Sequence, residues 1–185
     1  FRGGLFQTSQ NFYFYYTQLA VVFMRRQTIP VFWHCFRMLM GPQSHEHLAD
    51  RVRKLFGTVP LRLQVAALPW REQDGTLEIM LITSRDTGRW VLPKGWPEAR
   101  EPLCNAAARE TGEEAGLTGR ISPIEAGRYF YAKALPSGEE VPCEVPVFPL
   151  KVGSVADRWK EKRARTRRWV ACAEAERMVA EPDLS

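Results

Sequence analysis

The chain has 185 residues, 45% apolar and 25% charged, with a formal net charge of +5. That length suits one medium domain and an appendage, and the composition is that of a soluble globular protein. Four cysteines, Cys35, Cys104, Cys143 and Cys172, show no C-x-x-C spacing, and reduced thiols in a cytoplasmic protein are expected over a disulfide framework.

Residues 1–40 are dense in aromatics, among them Phe12, Tyr13, Phe14, Tyr15, Tyr16, Phe23, Phe32, Trp33 and Phe36. Nothing in their pattern builds a core. We expect a poorly structured leader, translated from upstream of a start at Met38 or Met40; a packed extension, or a patch touching a membrane surface or a partner, are the alternatives. The apolar run from Phe12 to Met24 is broken by Thr17 and Gln18. It is too short for a spanning helix of about 20 residues, so stable membrane insertion is not expected. Residues 41–58 are expected to form a helical lead-in with Leu48, Val52 and Leu55 on one face, and His45 and His47 are expected to be solvated surface residues.

The main domain is expected over 59–181. Leu61–Leu68 alternates and reads as a strand. Asp74-Gly75 signals a hairpin, and the apolar run Leu77–Thr83 is a strand covered on both faces. Arg85–Gly88 turns the chain, Trp90–Leu92 is a short strand, and Pro93 ends it. Past Leu117, Ile121–Ala134 is a strand region carrying Tyr129-Phe130-Tyr131. Val141–Val152 is another strand, and its prolines at 142, 146 and 149 predict an edge or bulged course. Asp157–Arg165 is a charged loop, Thr166–Val170 a strand, and Ala171–Ala180 a closing helix. Periodicity alone gives an α/β or α+β fold.

Between these strands lies GWPEAREPLCNAAARETGEEAGL, residues 95–117. Pro102 suits the first position of a helix, Ala and Glu propagate it, and Gly116 suits its left-handed C-cap. On a helical projection at about 100° per residue, Cys104, Ala108, Thr111 and Ala115 form a stripe of small residues for packing. Leu103, Ala107, Glu110, Glu113 and Glu114 fall on the other side. Three carboxylates thus crowd the last turn, where like charges repel and the helix dipole prefers cations. A divalent cation relieves that conflict, and a hard cation such as Mg²⁺ selects carboxylate oxygen. The positive charge of the chain lies elsewhere. An acidic metal site in a basic protein suits a small polyanionic substrate; RNA is the less favoured partner, and the oligomeric state is left open.

The spacing Gly95, five residues, Glu101, seven residues, Arg109-Glu110-Thr111, one residue, Glu113-Glu114, one residue, Gly116-Leu117 matches the Nudix signature. A chance match of its seven strictly typed positions in a chain of this length is on the order of one in a million. The chain resembles Nudix hydrolases, with one soft departure at Thr111, where an aliphatic residue is usual. The resemblance implies an α/β/α sandwich with a mixed β-sheet. It also implies an enzyme that cleaves a P–O–P linkage with Mg²⁺, or Mn²⁺ as a substitute.

By the same resemblance, Glu110, Glu113 and Glu114 hold metal together with the Lys94 backbone carbonyl and Gly95. Glu113, Arg109 and Glu110 are the expected catalytic set, with Arg109 orienting a carboxylate. Gly95, Glu101 and Gly116 shape the motif. Spacing alone does not divide the three glutamates between metal binding and proton acceptance. An additional acid from a later loop is expected, with Glu139, Glu140 and Glu144 as candidates. Thr83-Ser84-Arg85, Trp90–Gly95 and Thr166-Arg167-Arg168-Trp169 look like the diphosphoinositol polyphosphate and diadenosine polyphosphate hydrolase branch. That likeness implies phosphate contacts from Ser84, Arg85, Lys94, Arg167 and Arg168. The Lys94-Gly95-Trp96-Pro97 loop resembles the diadenosine polyphosphate members more. Tyr129 and Tyr131 are read as core or strand-face aromatics before an adenine platform. An RNA 5′-end pyrophosphohydrolase and a non-catalytic binding module are the rival functions.

Overall fold

The computed structural model describes residues 60–135 and 137–179. The expectations for 1–40 and 41–58, with His45, His47 and Cys35, lie outside the described residues, as does Ala180, the expected end of the closing helix. In chain order the elements are β1 Arg62–Leu63, β2 Val65–Gln73, β3 Thr76–Thr83, β4 Trp90–Val91, β5 Lys94–Gly95, α1 Leu103–Ala115, β6 Leu117–Ile121, β7 Gly127–Ala134, β8 Glu140–Val155, β9 Arg167–Ala171 and α2 Cys172–Met178.

Their strands join in one nine-stranded sheet of order β1-β8-β2-β3-β4, with β5 on β2, β9 on β3, and β6 and β7 on β8. β8 runs parallel to β1 and β2, and the other pairings are antiparallel. The fold is therefore α/β with a mixed sheet, the class expected. The β2–β3 hairpin closes at Asp74-Gly75, both with positive φ. Arg71, Glu72 and Gln73 belong to β2, paired with Glu78, Leu77 and Thr76. Their polarity hides them as a strand because this end of the hairpin is exposed.

β8 is the hub of the sheet, not an edge; of the two courses expected for it, the bulged one is seen, in the register shift against β6 between Thr118 and Gly119. Its prolines sit where ladders are interrupted. Pro149 C=O accepts from Ser122 N–H at 2.8 Å in the connection between β6 and β7. Pro146 faces the break between β1 and β2, and Pro142 lies ahead of the first residue paired with β1. A missing N–H costs no ladder bond at such points.

α1 lies against β2, β5 and β6, and α2 against β3 and β9. The α1 packing face is rotated from the projected stripe. Ala106, Ala107, Thr111 and Ala115 are fully buried, whereas Cys104 and Ala108 are only half-buried. Ala106 and Ala107 pack with Val65, Ala67, Phe148 and Leu150, where burying each large side chain contributes about 2 kcal/mol. Thr111 satisfies its buried hydroxyl by donating to Ala107 C=O at 2.7 Å. This rotation carries Glu114 to the sheet side of the helix, where it is buried. Pro102 is the N-cap, with ψ 135°, instead of the first helical residue. Cys104 and Cys143 are free thiols. Among the described residues no helix is long and apolar enough to cross a membrane.

Candidate active site

The crowded acidic end of α1 is held by the segment that follows β8. Gly116 takes the left-handed C-cap at φ 65° and donates its N–H to Gly112 C=O at 3.1 Å. Residues 156–167 then fold over the helix end. Glu161 N–H donates to Glu113 C=O at 3.1 Å, Trp159 Nε1 to Glu114 C=O at 3.1 Å, and Arg167 Nη1 to Ala115 C=O at 2.6 Å. Carbonyls that an isolated helix leaves unpaired each gain a donor. Arg167, 3.9 Å from the Trp159 ring centroid, puts a cation where the helix dipole favours one.

Glu114 is nearly enclosed, its side chain 9% exposed. Arg165 Nη2 donates to its Oε1, and Lys94 N–H donates to its Oε2 at 2.9 Å. Burial pushes the Glu114 carboxyl up to about 7, against the lowering pull of Arg165 and the Lys94 N–H. Arg165 also reaches Glu161 Oε2 through Nε at 2.5 Å and Thr83 C=O through Nη1 at 2.8 Å. Arg85 Nη1 donates to the other Glu161 oxygen at 3.2 Å.

One turn earlier, Arg109 clamps the opening of the motif to the helix. Its Nε and Nη2 donate to the two oxygens of Glu101 at 3.2 and 3.0 Å. Nη1 donates to Glu110 Oε1 at 2.8 Å, and Nη2 to Trp96 C=O at 3.0 Å. This planar fork holds Glu101 below the usual carboxylate range. Gly95 lies against the Glu110 carboxylate, and a Cβ there would overlap it.

Ser84, Arg85, Lys94, Gly95, Glu110 and Glu114 line one cleft of about 170 Å³. Glu113 stands outside it and accepts from Lys160 Nζ at 2.5 Å. Arg167 and Arg168 are also not among the residues that line the cleft. Arg167 caps α1, as described, and also donates to Ala156 C=O at 2.8 Å. Arg168 points to the opposite side of β9, as alternation along a strand requires, and pairs with Glu174 at 2.9 Å. Tyr129 is core, 1% exposed, and Tyr131 donates to Gln64 Oε1.

Sequence reasoning missed Gln64, Lys133, Glu161 and Arg165, all in the cleft wall. Arg165 had a faint signal, lying two residues before Arg167 and hence on the same side of an extended chain. Lys133 follows Tyr131 by the same step. Glu161 had none. It lies in the cleft wall, whereas Glu144 pairs with Arg128 and Glu139 and Glu140 are not among the residues that line the cleft.

The acids available here are oxygen donors only, which suits a hard divalent cation. Glu110 and Glu114 reach one cleft from successive turns, with Glu113 beside them, so the donor set fits Mg²⁺ in kind. Among the described residues no group of three His, Cys, Asp or Glu is already drawn together as a metal cluster. Arg109, Lys160 and Arg165 hold the three glutamates instead.

The NUDIX domain family profile matches residues 60–184. Nudix hydrolase 21, chloroplastic, of Arabidopsis thaliana is 33% identical over 65% of this chain and 61% of its own length. Nudix hydrolase 12, mitochondrial, of the same plant is 33% identical over 72% of this chain and 69% of its own. The chain thus spans less than two thirds of the first of these relatives. Among solved structures, a MutT protein from Methanosarcina mazei Go1 superposes with a TM-score of 0.52 at 25% identity, over 69% of this chain and 88% of that one. The chain belongs to the NUDIX domain family.

Proposed function

We propose that this chain is a Mg²⁺-dependent hydrolase that cleaves a P–O–P linkage in a small polyphosphorylated substrate. Family membership supports hydrolysis of a phosphorus-containing anhydride. The observation that carries the reading is the shared cleft: Glu110 and Glu114 face the same space as Ser84, Arg85, Lys94, Lys133 and Arg165. Acids for a cation and donors for phosphate are brought together from β3, β5, α1, β7 and the segment before β9. At about 170 Å³ the cleft is below the usual range for a whole drug-sized ligand, so it fits a polyphosphate stretch and leaves the rest of the substrate outside.

Glu110, Glu113 and Glu114, with the backbone of Lys94 and Gly95, are the groups that would hold Mg²⁺, or Mn²⁺ in its place. Bound there, the ion supplies charge neutralisation at the phosphates and acidifies water. The protein's own residues do the rest. Arg109 fixes Glu110 through Oε1, and a carboxylate of this set takes a proton from attacking water. The water oxygen bonds to phosphorus, the bridging P–O bond breaks, and the leaving phosphate keeps the electron pair. Ser84, Arg85, Lys94 and Lys133 bind and orient the phosphates.

Diadenosine polyphosphates and diphosphoinositol polyphosphates are the proposed substrates, on the likeness of the Ser84-Arg85 and Lys94-Gly95 segments to that branch. Cytoplasmic location belongs to the same proposal; the names of the plant relatives read chloroplastic and mitochondrial. A panel of diadenosine polyphosphates, diphosphoinositol polyphosphates, nucleoside diphosphate derivatives and 5′-triphosphorylated RNA, each with Mg²⁺, tests the reading by its products. We expect cleavage of one of the first two classes. Selective action on RNA ends would replace the substrate assignment, and no hydrolysis of any member would point to a binding module.

A further inference from the structure

Of the three acids at the end of α1, Glu114 is the one with a hydrogen bond on each oxygen: Oε1 from Arg165 Nη2, and Oε2 from Lys94 N–H at 2.9 Å. Arg165 is not a solvated surface cation. Its side chain is 8% exposed, and one guanidinium serves Glu114, Glu161 and Thr83 C=O. Two enclosed carboxylates this close need positive charge beside them, and Arg165 is the buried cation that supplies it.

A divalent ion at Glu114 would supply the same compensation, through the same oxygen lone pairs. Resting on the reading of Glu114 as an ion-holding group, we propose that Arg165 is a built-in counter-cation that competes with the divalent ion for Glu114. Each then weakens the other's hold by the same factor, because coupling between two ligands of one group is reciprocal. The exchange has a landing place. Glu161 stays bonded to Arg165 Nε at 2.5 Å, four residues away on the same segment, so the guanidinium releases Glu114 without losing every partner. Arg165 is thus a positioning residue. It sets the Glu114 carboxylate in the ion-free protein and holds ion affinity below what the acids alone would give.

The test uses the full chain without substrate and Mn²⁺ as the probe, read by titration calorimetry and by the Mn²⁺-induced shift in Tm. Arg165→Gln should bind Mn²⁺ about tenfold more tightly than wild type, with a larger gain in Tm. Arg165→Lys keeps the charge but not the planar fork, and should fall between them. Arg85→Gln removes a nearby charge that does not touch Glu114, and should change Mn²⁺ affinity little.

If Arg165→Gln folds only when Mn²⁺ is present, the ion has replaced the guanidinium and the proposal stands. If it folds under neither condition, Arg165→Lys decides. Unchanged or weaker Mn²⁺ binding in the folded Arg165 variant overturns the proposal, and so does an equal gain in Arg85→Gln. Glu114→Gln separates the two layers: wild-type Mn²⁺ binding in that variant sinks the reading of Glu114 itself. Loss of binding there, alongside unchanged affinity in the Arg165 variants, sinks the competition alone.

Discussion

Gly95 and the Glu110 carboxylate occupy neighbouring space so closely that a methyl group on Gly95 would overlap the carboxyl of Glu110. The obstacle is the far end of a flexible side chain, not backbone. Gly95→Ala should therefore fold, with a stability loss of about 1 kcal/mol, while Glu110 is pushed off its place. Since misplacement by about 1 Å costs on the order of a hundredfold in rate, we expect a drop of that size in kcat/KM with a fall in Tm of only about 2–4 °C. Steady-state kinetics beside thermal unfolding checks both.

Arg109 joins Glu101, Glu110 and the Trp96 carbonyl through one planar group. Lysine keeps the charge and loses the fork. Arg109→Lys should lower kcat by about 10- to 100-fold, the usual cost of loosening a group that orients a metal-holding carboxylate. Unchanged kcat would show that Glu110 is oriented without it.

Arg167 separates two roles cleanly. Its guanidinium donates to the carbonyls of Ala115 and Ala156 and lies over Trp159. Arg167→Ala should destabilise the fold by about 2 kcal/mol through the lost charge-assisted bonds, and should speed hydrogen exchange around residues 113–116. KM should stay near wild type. A large rise in KM at unchanged stability would instead make Arg167 a substrate residue.

Lys133 lines the cleft from β7 and forms no ion pair among the described residues. If it holds a phosphate, Lys133→Ala should raise KM about tenfold, the loss of one charge-assisted hydrogen bond, with kcat little changed. Kinetics on the substrate found by the panel checks this.

Local features were the readable part of the chain. Asp74-Gly75 announced its hairpin because two residues suffice to set a turn. Gly116 announced the end of α1 because a left-handed cap is a one-residue requirement. The signature announced the acidic helix end. What stayed hidden depends on contacts between distant residues. Arg165 and Glu114 are 51 positions apart, and in sequence Arg165 is one more cation in a charged loop. The prolines of β8 read as an edge or a bulged strand, and which strands flank them is not written locally. The packing face of α1 was misjudged by about one residue, since Ala106, Ala107, Cys104 and Ala108 are equally small and only the sheet decides which of them it covers.

The central claim is that the acids at the end of α1 make a metal-dependent hydrolase site. Glu114→Gln tests it most directly, by Mg²⁺-dependent hydrolysis of the panel's best substrate beside a thermal unfolding curve. Turnover should be lost while the variant still unfolds cooperatively near the wild-type Tm. Near-normal turnover in a folded Glu114→Gln protein would contradict it.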